Sequence, residues 1–234
     1  MGVDLALVLQ AGSTMQVFVA VALTVMMTGL GASATAASEA VPATDVRPGR
    51  TAPPISVRLH DYAGLPDEEL HEVQDLVSEI YQAIDVAVEW RQPVHAGRVQ
   101  AGVDEWPGDP VASLSVLILP PAMARRIGIK PDVSGYAAVN ATEGGSVAFV
   151  VADRTARIAA CAHLPHATVI STVIAHELGH LLMPARAHSR NTLMRAHWDP
   201  DDFRRGASRR FSKAEADIIR RTIVRRAAPT QPAN

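Results

Sequence analysis

His176 and His180 stand four residues apart, with Glu177 directly after the first of them, in the stretch Val173-Ile-Ala-His176-Glu177-Leu-Gly-His180-Leu-Leu-Met183-Pro184. On an α-helix residues i and i+4 share a face, so the two imidazoles can be presented to one metal ion. This is the HExxH pattern of zinc sites, in which the glutamate takes a proton from a water that the metal activates. Val169, Ile170, Val173, Ile174, Leu178, Leu181 and Leu182 recur at helical spacing, and Pro184 closes the run. An apolar back face is expected to bury the helix and leave the histidine face on a cleft.

A hydrolytic zinc site takes three protein ligands and keeps one position open. His188, eight residues beyond His180 and past the helix end, is the foremost third ligand, reached if the chain turns back after Pro184. His197, Asp199, Asp201 and Asp202 are its rivals, further along and less constrained. Glu215 reads as a helix cap, and His60, His71, His95, His163 and His166 lack ligand spacing and read as surface or satisfied histidines.

These side chains need a scaffold, and the pattern of the chain supplies one. Ile55–His60 alternates as a first strand, and Leu65-Pro66-Asp67-Glu68-Glu69 opens a helix with proline and acids in its first turn. Leu70, Val73, Leu76, Val77, Ile80, Tyr81 and Ile84 form its apolar stripe, with an end near Ala83. Further strands are expected at Val86–Trp90, Ser113–Pro120, Gly135–Val139 and Ser146–Val151, the last two joined by a hairpin turn at Glu143-Gly144-Gly145. Arg91 to Pro110 and Arg125 to Ser134 read as connections, and Asp153 to His163 as a short helix holding Cys161 as a small buried residue. A latency role for Cys161, blocking the metal, is the lesser reading. After an acidic and basic loop, Ser212 and Glu215 form a capping box. The helix it opens runs to about Ala227, with Ile218, Ile219, Ile223 and Val224 packing inward.

With 234 residues, a hydrophobic share of 48% and 20% charged residues, the chain is globular in composition rather than disordered. A net charge of −2 gives no case for nucleic acid as partner, and Arg220, Arg221, Arg225 and Arg226 suit a helix C-terminus. The single cysteine excludes an intrachain disulfide and a cysteine-rich zinc site. Leu5 to Ser38 carries no charge; its apolar run Val17–Leu30 and the small residues Gly31–Ala37 read as an export signal, although no basic residue precedes the run. The expected organisation is therefore a signal peptide or membrane anchor over 1–37, a linker over 38–54, one domain over 55–228, and a tail over 229–234. Export to the periplasm or medium follows, with membrane contact only through that first segment if it is uncleaved.

The order of strand, long helix, strands, zinc helix, third histidine and downstream methionine resembles the metzincin metalloproteases, and His188-Ser189 is similar to the matrixin-type ending of their motif. The resemblance implies an α+β fold: a twisted mixed β-sheet with a long N-terminal helix, an active-site zinc helix and a C-terminal helix. It implies one catalytic Zn2+ held by His176, His180 and His188, Glu177 as general base, and Met194 in a Met-turn beneath the metal. The residues alone leave Met194 equally readable as a core methionine. A peptide or protein substrate would lie extended along an edge strand, matched here to Ser146, Val147, Ala148 and Phe149. Two departures mark a divergent branch: Met183 stands where the family has glycine, and the third histidine arrives two residues late, with Arg186 in its place. The same scaffold without hydrolysis, as an exported zinc-binding or interaction domain, is the alternative reading.

Overall fold

The computed structural model describes residues 52–95, 113–140, 144–183, 188–205 and 209–228. The expected signal or anchor, most of the linker, the hairpin tip at 141–143, the segment with Pro184 and Arg186, and the tail all lie outside the described residues.

Five strands form one sheet in the order β2-β1-β3-β5-β4, from β1 (Ile55–Asp61), β2 (Val88–His95), β3 (Ser113–Leu119), β4 (Gly135–Asn140) and β5 (Gly144–Val151). Strands β2, β1, β3 and β5 run parallel to their neighbours, and only β4 is antiparallel, to β5. Parallel neighbours cannot be joined by a tight turn, so α1 (Asp67–Gln82) makes the crossover from β1 to β2. The remaining helices are α2 (Pro121–Arg126), α3 (Ala152–Ala162), α4 (His166–Leu182), α5 (Pro200–Arg204) and α6 (Lys213–Ala227). The α+β architecture expected from the sequence, with a mixed sheet, a long first helix, a histidine helix and a C-terminal helix, is the one observed.

Strand alternation builds the core. Ile55, Val57 and Leu59 of β1, Leu114, Val116 and Ile118 of β3, and Ala148 and Val150 of β5 are buried with Leu70, Val73, Val77 and Tyr81 of α1. Against them lies α4, and here the expectation of a two-faced helix is corrected. Every residue from Val169 to Leu182 is buried, because α1, α3, α6, β4 and β5 all pack around the helix. Its apolar residues cover most of its circumference, as a central helix requires. Its two buried hydroxyls are satisfied inside the helix: Ser171 and Thr172 donate to the Thr168 carbonyl at 3.1 and 2.7 Å.

Several local expectations change. Strand β2 runs on to His95 through a segment read as loop, because pairing with β1 continues to Val94 and His95. Gly144 and Gly145 belong to β5, opposite Asn140 and Val139, rather than to the turn. Short helix α2 starts directly after the strand read to Pro120 and reaches into the expected connection only at Arg125 and Arg126, and α5 lies in the loop expected before Ser212; each has proline in its first turn. Cys161 is exposed on α3, not buried. Val224 is 41% exposed on α6, because Ile219 and Ile223 already fill the inward face. Among the described residues, no helix is long and apolar enough to cross a membrane.

Candidate metal centre

His176 and His180 lie one turn apart on α4, with their Nε2 atoms 3.0 Å apart and their rings edge to face. The helix stops at Leu182, and Met183 is extended (φ −111°, ψ 129°), the conformation a following proline favours. The chain returns at His188, whose ring stacks over His176 with centroids 5.8 Å apart and meets His180 edge-on at 4.9 Å. One ligand atom from each of the three histidines lies within 4.8 Å of the others.

Two observations test whether this set fits a metal. The Nε2 atom of His188 is shut off from solvent and has no hydrogen-bond partner, a costly state for a buried polar atom unless a ligand uses its lone pair. In His176 the Nδ1 atom lies 2.7 Å from the Leu193 carbonyl oxygen, which can only accept. The proton therefore sits on Nδ1 and leaves the Nε2 lone pair facing the cluster. Zinc bound tetrahedrally at ~2.0–2.1 Å would set donor pairs about 3.4 Å apart, a spacing between the 3.0 Å of the His176–His180 pair and the 4.8 Å bound on the whole set. Burial also disfavours the charged form of His176 and of His188, and a ligand imidazole must be neutral. It pushes His176 down to about 4, against an upward pull from the Leu193 hydrogen bond, and lowers His188 with help from the charge of His197. The donor set fits zinc.

Below the histidines runs the loop that carries Met194. It is fully buried against α4, and a Cβ added at Gly179 would come within 2.6 Å of its sulfur, so the close approach depends on that glycine. The Met194 carbonyl accepts from the Ser189 amide at 2.9 Å, which ties this loop to the residue after His188. The Thr192 hydroxyl accepts from the Met194 amide at 3.2 Å and donates to Glu215 Oε1 at 2.8 Å; it also contacts the Ser189 hydroxyl. Glu215 completes the capping box expected at Ser212 with its other oxygen, 2.6 Å from the Ser212 amide. One carboxylate thus caps the start of α6 and anchors the loop beside the cluster.

Glu177 is 2% exposed. Burial raises its carboxyl to about 8, against a downward pull from a hydrogen bond donated by the Ala137 amide of β4. Its Oε1 fills the space that a side chain at Gly135 would need: an added Cβ would lie 2.5 Å away. Strand β4 therefore holds the carboxyl through one amide and one missing side chain. Sequence periodicity carries no sign of either, since both follow from the pairing of β4 over α4.

The substrate strand expected at Ser146, Val147, Ala148 and Phe149 is corrected. Strand β5 is hydrogen-bonded on both sides, to β3 and to β4, and has no free edge to offer. The edge strand on this side of the sheet is β4, where Tyr136 is 41% exposed and stacks on Phe149 with centroids 6.3 Å apart. The rivals for third ligand sit elsewhere. His197 is exposed, Asp199 caps α5, and Asp202 completes that capping box and pairs with Arg195. Asp201 pairs with Arg204. Of the other histidines, His166 lies between Glu69 Oε1 at 2.6 Å and Thr155 Oγ1 at 2.8 Å, His71 and His163 are exposed, and the side chain of His95 lies outside the described residues.

No family model matches the chain, and no curated protein matches it. Among solved structures it is similar to archaemetzincin from Methanopyrus kandleri, with 14% identity, a TM-score of 0.47, and coverage of 72% of this chain and 95% of that one. It is also similar to metalloproteinase-II from Bacteroides fragilis, with 15% identity and a TM-score of 0.45 over 74% of this chain; the chain spans 54% of that protein's length.

Proposed function

We infer that the chain is a zinc-dependent endopeptidase. The observation that supports this best is the convergence of three histidine ligand atoms within 4.8 Å beside the buried carboxyl of Glu177. Three neutral imidazoles and no carboxylate in the ligand set leave a divalent cation its full charge. Zinc bound there supplies Lewis acidity, acidifying a water and polarising a carbonyl.

The rest of the chemistry belongs to the chain. Glu177 moves the proton: its carboxylate takes one from the attacking water and passes it to the leaving amine. At about 8 in the metal-free protein the carboxyl is mostly protonated at neutral pH, and a neighbouring cation favours the ionised form that a base needs. The Ala137 amide keeps that carboxylate in place. Strand β4, with one side of its ladder unpaired among the described strands, offers backbone groups to an extended peptide, and Tyr136 lies on the same strand. Residues 1–37 support export as the setting.

Incubating zinc-loaded protein with a mixture of peptides, beside Glu177→Gln, tests the reading. Cleavage by the wild type alone, with equal zinc in both, is the expected result. Zinc in both and cleavage by neither would favour a zinc-binding module instead.

A further inference from the structure

Away from the histidines, an open cavity of about 600 Å³ lies between the C-terminal part of α1 and the side chains of Arg205, Arg209 and Arg210. Its volume falls in the range of small-molecule sites. Leu76 and Ile80 of α1, with Ala83 just past its end, supply the apolar lining, and Arg205, Arg209 and Arg210 the basic lining. Arg205 is already engaged by Asp199 and Asp202 at 3.9 and 3.8 Å. Among the described residues, Arg209 and Arg210 have no carboxylate partner. Glu79, exposed on α1, is the single acid of the lining and is paired with none of the three among the described residues.

We propose that this cavity is a binding site for a carboxylate carried on a short apolar stem. Two guanidiniums not held in an ion pair against one carboxylate leave about one positive charge to neutralise, which suits a monoanion better than a phosphate dianion. Arginine forks match a carboxylate geometrically, with two parallel hydrogen bonds. Leu76 and Ile80 are partly buried and packed on the core, so a stem laid over them covers apolar surface without rearranging it. Neither the headgroup nor the stem alone satisfies the whole lining. A free amphiphile and the apolar C-terminal residue of a peptide both carry this chemistry. The backbone of Arg210 links the site to the metal centre: its carbonyl accepts from the Leu193 amide at 2.7 Å, and the Leu193 carbonyl holds His176. Replacing the arginine side chains leaves that link intact.

Calorimetric titration of the full-length, zinc-loaded protein tests the proposal with octanoate and N-acetyl-Leu-Leu, with acetate and octanol as the head and stem alone. Saturable binding of octanoate or the dipeptide, weakened roughly ten- to a hundredfold in R209A/R210A, is expected. The tighter of the two identifies the source of the carboxylate. Ala83→Glu, at the exposed residue that follows α1, places a carboxylate in the cavity without touching the arginines and should block binding equally. Absence of saturable binding by both ligands, acetate binding as tightly as octanoate, or unchanged affinity in both variants would overturn it. None of these readouts requires hydrolysis, so failure here and failure of the peptidase reading are separate results.

Discussion

The Nδ1–H of His176 donates to the carbonyl oxygen of Leu193 at 2.7 Å, one residue before Met194. Through this bond the loop under α4 decides which nitrogen of His176 faces the cluster. The loop is itself held from outside by the Thr192 hydroxyl, which uses its one proton toward Glu215 and accepts from the Met194 amide. A chain of hydrogen bonds therefore runs from α6 to the metal centre.

Thr192→Val cuts that chain with little change in volume. It leaves a Glu215 oxygen without its donor, so a stability loss of about 1–3 kcal/mol is expected. Zinc affinity should fall by roughly 10–100-fold, the usual effect of losing a group that orients a ligand. Thr192→Ser should restore most of both. Chelator competition reads the affinity, and an unchanged zinc constant in the valine variant would remove Thr192 from this role.

His188 and His197 separate the two histidines that the sequence left in competition. His188→Ala removes the buried, unpartnered Nε2 and should weaken zinc by more than the ~10–100-fold of an outer partner. His197→Ala, at an exposed position, should leave zinc stoichiometry and affinity unchanged. Metal analysis after dialysis against a chelator series distinguishes them, and equal losses in both would refute the assignment.

What could be read from the sequence follows from which features are local. The pairing of His176 with His180, the α1 stripe and the Ser212–Glu215 capping box are all set by helical spacing, and all three are in place. The edge strand was not legible, because Ser146–Val151 looks the same as sequence whether one or both sides of its ladder are paired. Only the order β3-β5-β4 decides that. The burial of α4 was misread for a related reason: an apolar stripe shows one face, while the packing of α3 and α6 on the others is a property of the whole chain. Glycines 135 and 179 carry no periodic signal, yet each marks a place where another side chain passes within van der Waals distance. Cys161 went the opposite way, since a small residue on a short helix suits either face.

Gly135→Ala should separate metal binding from hydrolysis. The added methyl would meet Glu177 Oε1 at 2.5 Å and a Val173 methyl at 2.7 Å, both on α4. Strand β4 is fixed by its ladder with β5, so the carboxyl of Glu177 must move. Overpacking of this kind costs about 1–3 kcal/mol. Zinc content should stay at the wild-type level while peptide hydrolysis drops, because in the proposed mechanism the displaced group carries the proton and is not a ligand. Wild-type turnover in this variant would mean that the contact with Gly135 does not position Glu177.

Tyr81→Phe tests how α1 holds the metal helix. The buried hydroxyl donates to the Ala175 carbonyl at 3.0 Å, one residue before His176, and the ring packs edge-on against Phe211 with centroids 5.3 Å apart. Losing the hydrogen bond while keeping the ring should cost about 0.5–1.5 kcal/mol at neutral pH. The pH dependence has a definite sign. Burial raises the Tyr81 phenol well above its ordinary value, so above pH ~10 the unfolded chain releases this proton while the folded chain keeps it. The folded state then binds more protons, and stability falls as pH rises from ~10 toward the folded pKa. Phenylalanine cannot ionise, so the variant should lose less stability between neutral and strongly alkaline pH, and the gap between the two proteins should narrow or reverse. Urea denaturation at both pH values measures this. A gap that stays constant would show that the Tyr81 phenol ionises alike in the folded and unfolded chains.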